Sequence, residues 1–245
     1  MASTESSSPS DREAPRPTGG QAFLPVIIRP RKGLLSQGAE SLCRDVFVRG
    51  GLIAFPTDTV YGVGANAGNW RAVRRLFAAK RRPLDRPLPV LVGDGDDVLR
   101  YGRQLPVAAA ALAAAFWPGP LTMVVRRARP IRPVVSAGGD TVGLRMPDHP
   151  VALRLLRVLP GPLAVTSANL SGEESTISAA EVLRTLGPSL DVLIDVEVPG
   201  SGLPSTVIDL TTSPPRVLRQ GAVTLEQLES VIGEVVSPLA YRRPA

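Results

Sequence analysis

The sequence predicts an α/β domain built on a twisted sheet of mixed parallel and antiparallel strands with flanking helices. Short apolar runs typical of buried strands alternate with stretches of helical spacing, as where residues 52–55 are followed by a helix that begins near Asn69. Several further extended pieces are short and can pair antiparallel, which makes the sheet mixed. Neither an internal repeat nor a linker interrupts residues 25–236, so we expect one domain.

The predicted domain covers residues 23–236 and lies between two tails. Residues 1–22 are rich in Ser, Pro and Gly and contain no apolar run, so we expect a disordered tail without a secretory signal. Residues 237–245 are expected to form a flexible C-terminal tail. The alanine-rich run at residues 107–115 is too short to cross a membrane. We therefore expect a cytoplasmic protein with no membrane partner.

Within the domain, the predicted strands and helices follow one another in a regular order. Strands are expected at residues 26–28, 52–55, 90–92, 121–125, 141–147, 162–166, 191–196, 204–210 and 217–221, the last of these as a strand or a turn. Helices are expected at residues 36–49, 69–80, 107–116, 150–159, 179–186 and 224–236. Asn69 and Thr224 are residue types that cap such helices.

The composition excludes several kinds of catalytic site. Cys43 is the only cysteine and His149 the only histidine, so an internal disulfide is excluded and zinc or His-based metal centres are not expected. A serine hydrolase triad would need His149, which lies in a turn leading into a helix. Neither a P-loop lysine motif nor a G-x-G-x-x-G fingerprint occurs, which disfavours an ordinary P-loop NTPase.

The charge of the chain favours an anionic ligand. The formal net charge is +6, and arginine carries the excess because Lys32 and Lys80 are the only lysines. Guanidinium groups suit phosphate, although a basic solvated surface would give the same charge. Aromatic residues make up only 4 % of the chain, so a stacking surface for single-stranded nucleic acid is not expected.

A polar segment directly after the strand at residues 52–55 is the first candidate site. Pro56 ends the apolar run, and the side chains that follow it are Thr57, Asp58, Thr59 and Tyr61. Hydroxyls and a carboxylate at a strand end are typical of a site carried by a rigid sheet. The alternative is a turn that only links the strand to the next helix.

Positive charge and proline are concentrated in residues 80–92. The charged residues there are Lys80, Arg81, Arg82 and Arg86, and prolines occupy positions 83, 87 and 89. Because proline restricts its own backbone and that of the preceding residue, it fixes where the guanidinium groups point. The segment is therefore a candidate phosphate site, with a solvated charged face as the alternative.

Polar side chains also lie at the ends of two later strands. Ser167 and Asn169 follow the strand at residues 162–166 and offer a hydroxyl and an amide. Ser205 and Thr206 form a hydroxyl pair that opens the strand at residues 204–210.

Four of these segments, PTDTVYG, KRRP with RPLP, TSAN and PSTV, together resemble the YrdC-like threonylcarbamoyl-AMP synthase family in its short, single-domain form. The likeness runs over residues 26–236. It includes the family's Lys-x-Arg signature as Lys80 and Arg82 and its Ser-x-Asn signature as Ser167 and Asn169. WPGPLT, LRMPDHP and LRQG are similar blocks in the same order. The resemblance implies a single YrdC-like domain with a concave basic cavity.

The resemblance also implies an enzyme, a nucleotidyltransferase that converts L-threonine, bicarbonate and ATP into L-threonylcarbamoyladenylate and pyrophosphate for the t6A modification of tRNA. A carbamate on the threonine amine then attacks the α-phosphate of ATP. Since two anions must approach each other, an arginine-rich site that excludes water suits this chemistry. Mg²⁺ is expected to accompany the ATP. The implied partners are downstream threonylcarbamoyl-transfer proteins and, where RNA is bound directly, tRNA or double-stranded RNA.

Roles for individual residues follow from the same resemblance. Lys80 and Arg82 would be catalytic, and no residue would bind a metal. ATP would be bound by Lys80, Arg82, Arg86, Thr141, Ser167, Asn169, Ser175 and Arg219. L-Threonine would be bound by Thr59, Tyr61, Arg145 and Ser205. Many members carry a histidine where this chain has Leu91, a departure at the threonine end of the site.

Two other functions stay open at this point. The first is an RNA-binding module of the same fold, since a concave basic face also suits double-stranded RNA or tRNA. The second is a carbamoyl-transferring relative used in hydrogenase maturation. Such proteins carry this domain in a longer chain with Cys-rich zinc modules, whereas this chain has only Cys43.

Overall fold

The computed structural model describes residues 24–197 and 203–237. The predicted tails lie outside these residues, apart from Ser237. The strands are β1 (Val26–Ile28), β2 (Ile53–Pro56), β3 (Tyr61–Asn66), β4 (Val90–Leu91), β5 (Gly102–Arg103), β6 (Leu121–Arg127), β7 (Thr141–Arg145), β8 (Leu163–Ser167), β9 (Val192–Ile194), β10 (Thr206–Asp209) and β11 (Arg216–Arg219). The helices are α1 (Gln37–Val48), α2 (Trp70–Ala79), α3 (Asp97–Tyr101), α4 (Val107–Phe116), α5 (Pro150–Val158), α6 (Ala179–Leu186) and α7 (Leu225–Ile232).

The strands form one sheet in the order β1-β9-β2-β3-β8-β4-β7-β6-β10-β11, with β5 paired to β6 beside this path. Parallel pairs join β1 and β2 to β9, β4 to β7 and β6 to β10. Antiparallel pairs join the remaining neighbours, as in the β2–β3 and β6–β7 hairpins. The predicted mixed sheet is confirmed.

The sheet is buried on both faces, because alternate residues of its central strands enter two different hydrophobic clusters. Leu52 and Ala54 belong to the larger cluster, which includes residues of α2, α4, α6 and α7. Ile53 and Phe55 belong to the second cluster with residues of α1 and α5. This alternation is what a strand's two-residue period requires when helices cover both faces.

Capping residues begin the helices as the sequence predicts. The Asn69 side chain accepts hydrogen bonds from the backbone N–H groups of Arg71 and Ala72 at the start of α2. Thr224 and Gln227 form a reciprocal capping box at the start of α7. None of the helices in the described ranges has the length and apolar character that a bilayer span requires.

The structure differs from the sequence prediction at three places. Residues 61–66 form β3 rather than a loop, and Gly62 and Gly64 hide the alternation that would have indicated a strand. The elements α3 and β5 are five and two residues long and too short to show a period. The last helix ends at Ile232 instead of near Val236, because Gly233 adopts a φ of 79° and stops it.

Candidate active site

A cavity of about 390 Å³ lies where several strand ends meet, a volume ordinary for a small-molecule site. Arg145 ends β7, Ser167 ends β8 and Arg219 ends β11, while Tyr61 opens β3. Eight of the twelve predicted site residues line this cavity: Thr59, Tyr61, Arg82, Arg145, Ser167, Ser175, Ser205 and Arg219. The topology therefore brings together residues that are far apart in the sequence.

Arg145 is held by four oxygen acceptors. Its Nη2 donates to both carboxylate oxygens of Asp58 at 2.7 Å, its Nη1 to Thr59 Oγ1 at 3.2 Å and its Nε to the Gly119 carbonyl at 3.1 Å. The side chains of Arg145 and Asp58 are only 9 % and 13 % exposed. Burial lowers the pKa of Arg145, and the charge of Asp58 opposes this shift. The four acceptors therefore hold the guanidinium in one fixed orientation.

The loop between β2 and β3 is organised by Thr57, which was not among the predicted ligands. Its Oγ1 accepts from the backbone N–H groups of Thr59 and Val60 and donates to the Val60 carbonyl at 2.7 Å. The same oxygen lies 3.1 Å from Thr59 Oγ1. Because Thr59 also contacts Arg145, the two threonines and the arginine form one connected network. The polar segment after Pro56 was the signal for this role.

Arg219 forms a second cationic wall, anchored by Ser205. Its Nε and Nη2 donate to the Ser205 carbonyl at 3.1 and 2.8 Å, and Nη2 also contacts Ser205 Oγ at 3.1 Å. Burial and then the positive charge of Arg145 lower the pKa of Arg219. The two guanidinium groups thus repel each other across the cavity, and an anion between them would relieve this repulsion. Ser205, predicted as a threonine ligand, is engaged with Arg219.

Thr122 is a lining residue that the sequence analysis missed. Its Oγ1 lies 2.9 Å from Ser205 Oγ, so it orients the serine that anchors Arg219. The neighbouring strand makes room for it with Gly143, where an added Cβ would lie 2.9 Å from Thr122 Cγ2. An isolated hydroxyl within the apolar run at residues 121–125 was the only signal.

Arg82 supplies the third guanidinium of the cavity. Its Nη2 donates to the Pro87 carbonyl at 3.0 Å and its Nε to the Arg86 carbonyl at 3.4 Å. The predicted proline-restrained segment therefore does orient this side chain. Burial, followed by the charge of Arg86, lowers the pKa of Arg82. Among the described carboxylates none forms a salt bridge with Arg82 or Arg219, so both remain available to an anionic ligand.

Four predicted ligands do not line the cavity. Arg86 is exposed, and Thr141 begins β7 beside Arg126, at the opposite end of that strand from the cavity. Asn169, in the loop that follows β8, and Lys80 beneath that loop are both buried and bond to each other. The predicted contacts of these four side chains with ATP stay predictions.

Tyr61 contributes its ring to the cavity but not its hydroxyl. The hydroxyl donates to the Val196 carbonyl at 2.6 Å and accepts from the Val196 N–H at 3.0 Å. Burial raises the pKa of Tyr61, so the phenol stays neutral. The hydroxyl is therefore engaged within the protein, and the role of Tyr61 in binding threonine stays a prediction.

Leu91 stands beside Arg145, since the two residues are register partners in the parallel β4–β7 pair. It is 5 % exposed and lines the cavity. On its other side it borders a second cavity of about 370 Å³, whose walls include residues of α3 and α5. Leu91 thus belongs to the hydrophobic core and also faces the site.

The lining offers little to a metal ion. In residues 24–197 and 203–237 no group of three or more His, Cys, Asp or Glu side chains could hold one. The described residues that line the cavity include no carboxylate. A Mg²⁺ ion here would need the phosphates of a bound nucleotide as its ligands.

Comparison with known proteins connects this cavity to a characterised group. The Sua5/YciO/YrdC family model, described as telomere recombination, matches residues 45–221. The threonylcarbamoyl-AMP synthase of Pyrococcus abyssi is 44 % identical over 197 residues, which are 80 % of this chain and 58 % of that protein. The threonylcarbamoyl-AMP synthase of Bacillus subtilis is 42 % identical over 185 residues, which are 75 % of this chain and 54 % of that protein.

A solved structure shares the fold. The crystal structure of P. abyssi Sua5 complexed with L-threonine matches with a TM-score of 0.82 and 39 % identity, over 88 % of this chain and 62 % of that one. The chain thus spans a little over half the length of the curated relatives that it matches.

Proposed function

The chain belongs to the Sua5/YciO/YrdC family, and we propose that it is a threonylcarbamoyl-AMP synthase that makes L-threonylcarbamoyladenylate and pyrophosphate from L-threonine, bicarbonate and ATP. The observation that carries the proposal is the cavity itself, in which three guanidinium groups converge with several hydroxyls. The comparison with known proteins also supports the proposal, because the structure of a relative with this fold was solved with L-threonine bound.

The guanidinium groups of the cavity suit different ligands. Arg82 and Arg219 have no carboxylate partner among the described residues, so these two side chains suit the phosphates of ATP, with Ser167 and Ser175 as hydroxyl donors. Arg145 is paired with Asp58 and carries less uncompensated charge than Arg82 and Arg219, so it suits the single carboxylate of threonine rather than a triphosphate. Thr59 lies beside Arg145 and is placed to accept or donate a hydrogen bond to the same substrate.

In the proposed reaction the threonine amine attacks the carbon of bicarbonate or of CO₂ derived from it. A carbamate forms in either case: with bicarbonate the proton of the amine leaves with hydroxide as water, and with CO₂ only the proton is lost. A carbamate oxygen then attacks the α-phosphorus of ATP and the bond to the β-phosphate oxygen breaks, which releases pyrophosphate. Arg82 and Arg219 would offset the negative charge that accumulates on the phosphates. Mg²⁺ bound to the nucleotide would add further charge compensation.

We place the product upstream of proteins that transfer the threonylcarbamoyl group to an adenosine of tRNA. A mixed carbamic–phosphoric anhydride is readily hydrolysed, so it requires prompt use by such a transferase. We also place the protein in the cytoplasm, because ATP, threonine and tRNA are all available there. Direct binding of tRNA is not needed for the synthesis itself.

The proposed reaction is tested by measuring pyrophosphate release with threonine, bicarbonate and ATP, omitting each in turn. We expect release only when all three are present. Pyrophosphate formed without threonine, or none formed by folded protein with all three, would overturn the proposal. In the same assay an RNA-binding module would consume no ATP.

Two neighbouring arginines provide a matched pair of variants for this assay. Arg82→Ala removes a cavity guanidinium, and since a hydrogen bond to a charged group contributes about 1.5–3 kcal/mol, turnover should fall about tenfold or more. Arg81 is exposed and outside the cavity lining, so Arg81→Ala should retain activity. Equal losses in the two variants would contradict the assignment of Arg82.

A further inference from the structure

At the end of α2, the side chains of Lys80 and Arg82 point to different places, and Arg81 lies between them in the chain. The backbone of Arg81 adopts a φ of 51°, a left-handed conformation that ends the helix. The N–H of Arg82 then bonds to the Phe77 carbonyl at 2.9 Å, which closes the helix terminus. As a result Lys80 points into the protein and is 1 % exposed, whereas Arg82 lines the cavity.

The Lys80 ammonium is fully occupied by the loop that follows β8. Its Nζ donates to the Asn169 carbonyl at 2.6 Å, to Asn169 Oδ1 at 3.4 Å and to the Ser167 carbonyl. An ammonium has three protons, and here three oxygens accept them. The backbone carbonyl of Lys80 also accepts from the Ser171 N–H at 3.0 Å. No donor of this residue is left for a phosphate.

We propose that Lys80 is a positioning residue, which holds the loop of residues 167–171 so that the Ser167 hydroxyl faces the cavity, and that it makes no direct contact with the nucleotide. This reading departs from the role expected of the Lys-x-Arg signature. It divides the signature between an internal support, Lys80, and a ligand, Arg82. It rests on the proposed function only for the identity of the nucleotide as ATP.

The surroundings of the loop explain why a hydrogen-bond donor is needed beneath it. The Ser167 and Asn169 carbonyls point inward, and buried acceptors without donors destabilise a fold. The Asn169 amide is already engaged, since its Nδ2 donates to the Leu170 and Glu173 carbonyls at 2.9 and 2.8 Å. Lys80 is therefore the donor that satisfies both carbonyls. Burial, and next the charge of Arg82, lower its pKa to about 8.

The first test uses the fact that the chain has only two lysines. Reductive methylation of the native protein, followed by mass spectrometry, reports the accessibility of each. We expect the exposed Lys32 to react at least about tenfold faster than Lys80, both without and with saturating ATP. Both lysines should react in urea. Rapid labelling of Lys80 in the free protein, suppressed by ATP, would overturn the proposal. This test requires no activity and no variant.

The second test is a pair of double-mutant cycles on ATP affinity, measured by calorimetry so that turnover is not needed. If Lys80 acts through Ser167, Lys80→Met and Ser167→Ala together should raise the Kd for ATP little more than the larger single effect. Lys80→Met and Arg82→Ala, in contrast, should have multiplicative effects. Multiplicative effects in the first cycle would refute the positioning role.

Two controls separate positioning from general damage and from failure of the proposed function. Lys32→Met should leave the Kd for ATP unchanged. Lys80→Met should raise the Kd for ATP while leaving that for threonine within about twofold, whereas partial unfolding would weaken both ligands alike. The protein could release no pyrophosphate and still show slow labelling of Lys80 and non-multiplicative effects of Lys80→Met and Ser167→Ala. In that case the proposed reaction is refuted and the positioning role of Lys80 stands.

Discussion

Removal of the Asp58 carboxylate should destabilise the fold strongly. In Asp58→Ala the Nη2 atom of Arg145 loses both of its acceptors at 2.7 Å, and only Thr59 and Gly119 remain as partners. Asp58 is not among the described residues that line the cavity, and its side chain is 13 % exposed, so water replaces the carboxylate poorly on that side of Arg145. Breaking a buried ion pair on one side costs about 3–5 kcal/mol, and we expect the free energy of unfolding to fall by that amount.

The matched control for this variant is Asp140→Ala, which breaks the pair between Arg126 and Asp140. Those two side chains are 39 % and 56 % exposed. An exposed pair contributes about 0.2–1 kcal/mol, so this loss should be small. Urea unfolding with linear extrapolation measures both values. If Asp58→Ala lost no more than Asp140→Ala, the argument from the buried ion pair would be refuted.

Three further predictions concern single positions. Arg81→Gly should raise the free energy of unfolding by about 0.5–1 kcal/mol, because glycine adopts a positive φ without strain. Arg81→Val should lower the free energy of unfolding, and urea unfolding measures both variants. The pKa of Lys80 is lowered from 10.5 to about 8, so between these pH values the unfolded chain binds more protons than the folded protein. The contribution of Lys80 to the free energy of unfolding should therefore increase as the pH rises from about 8 to 10.5, by about 3 kcal/mol in all. The Lys80→Met variant should lack this increase. Leu91→His should change the KM for threonine and leave that for ATP nearly constant, and a lower melting temperature with unaltered threonine kinetics would count against this role of Leu91.

Sequence patterns predicted the elements that carry a regular period or a clear cap. The helix after Asn69 and the buried strand at residues 52–55 are examples, because apolar spacing alone defines them. The strand at residues 61–66 escaped prediction because two glycines interrupt its pattern. The mixed character of the sheet followed from the shortness of the strands, but the strand order depends on long-range pairing that no local pattern encodes.

The cavity shows the same division between local and long-range information. Arg82 was predictable from its position before Pro83, where the backbone is restrained. The part played by Asp58 was not, because its partner Arg145 lies 87 residues away in the chain. The burial of Lys80 was not evident from the sequence for a different reason. A basic residue in a phosphate-binding signature suggests a ligand, whereas its burial and three oxygen acceptors become visible only in the folded structure.

The strand order also sets the stage of synthesis at which the protein can fold. Both β1 and β2 pair with β9, so Val26 and Ile53 find Val192 only after most of the chain has left the ribosome. Contacts of such sequence separation slow folding. Arg219, on β11, is synthesised later than all of these residues. A nascent chain that ends before Arg219 has two of the three guanidinium groups that the described residues contribute to the cavity, so the cavity is complete only when nearly the whole domain has been made.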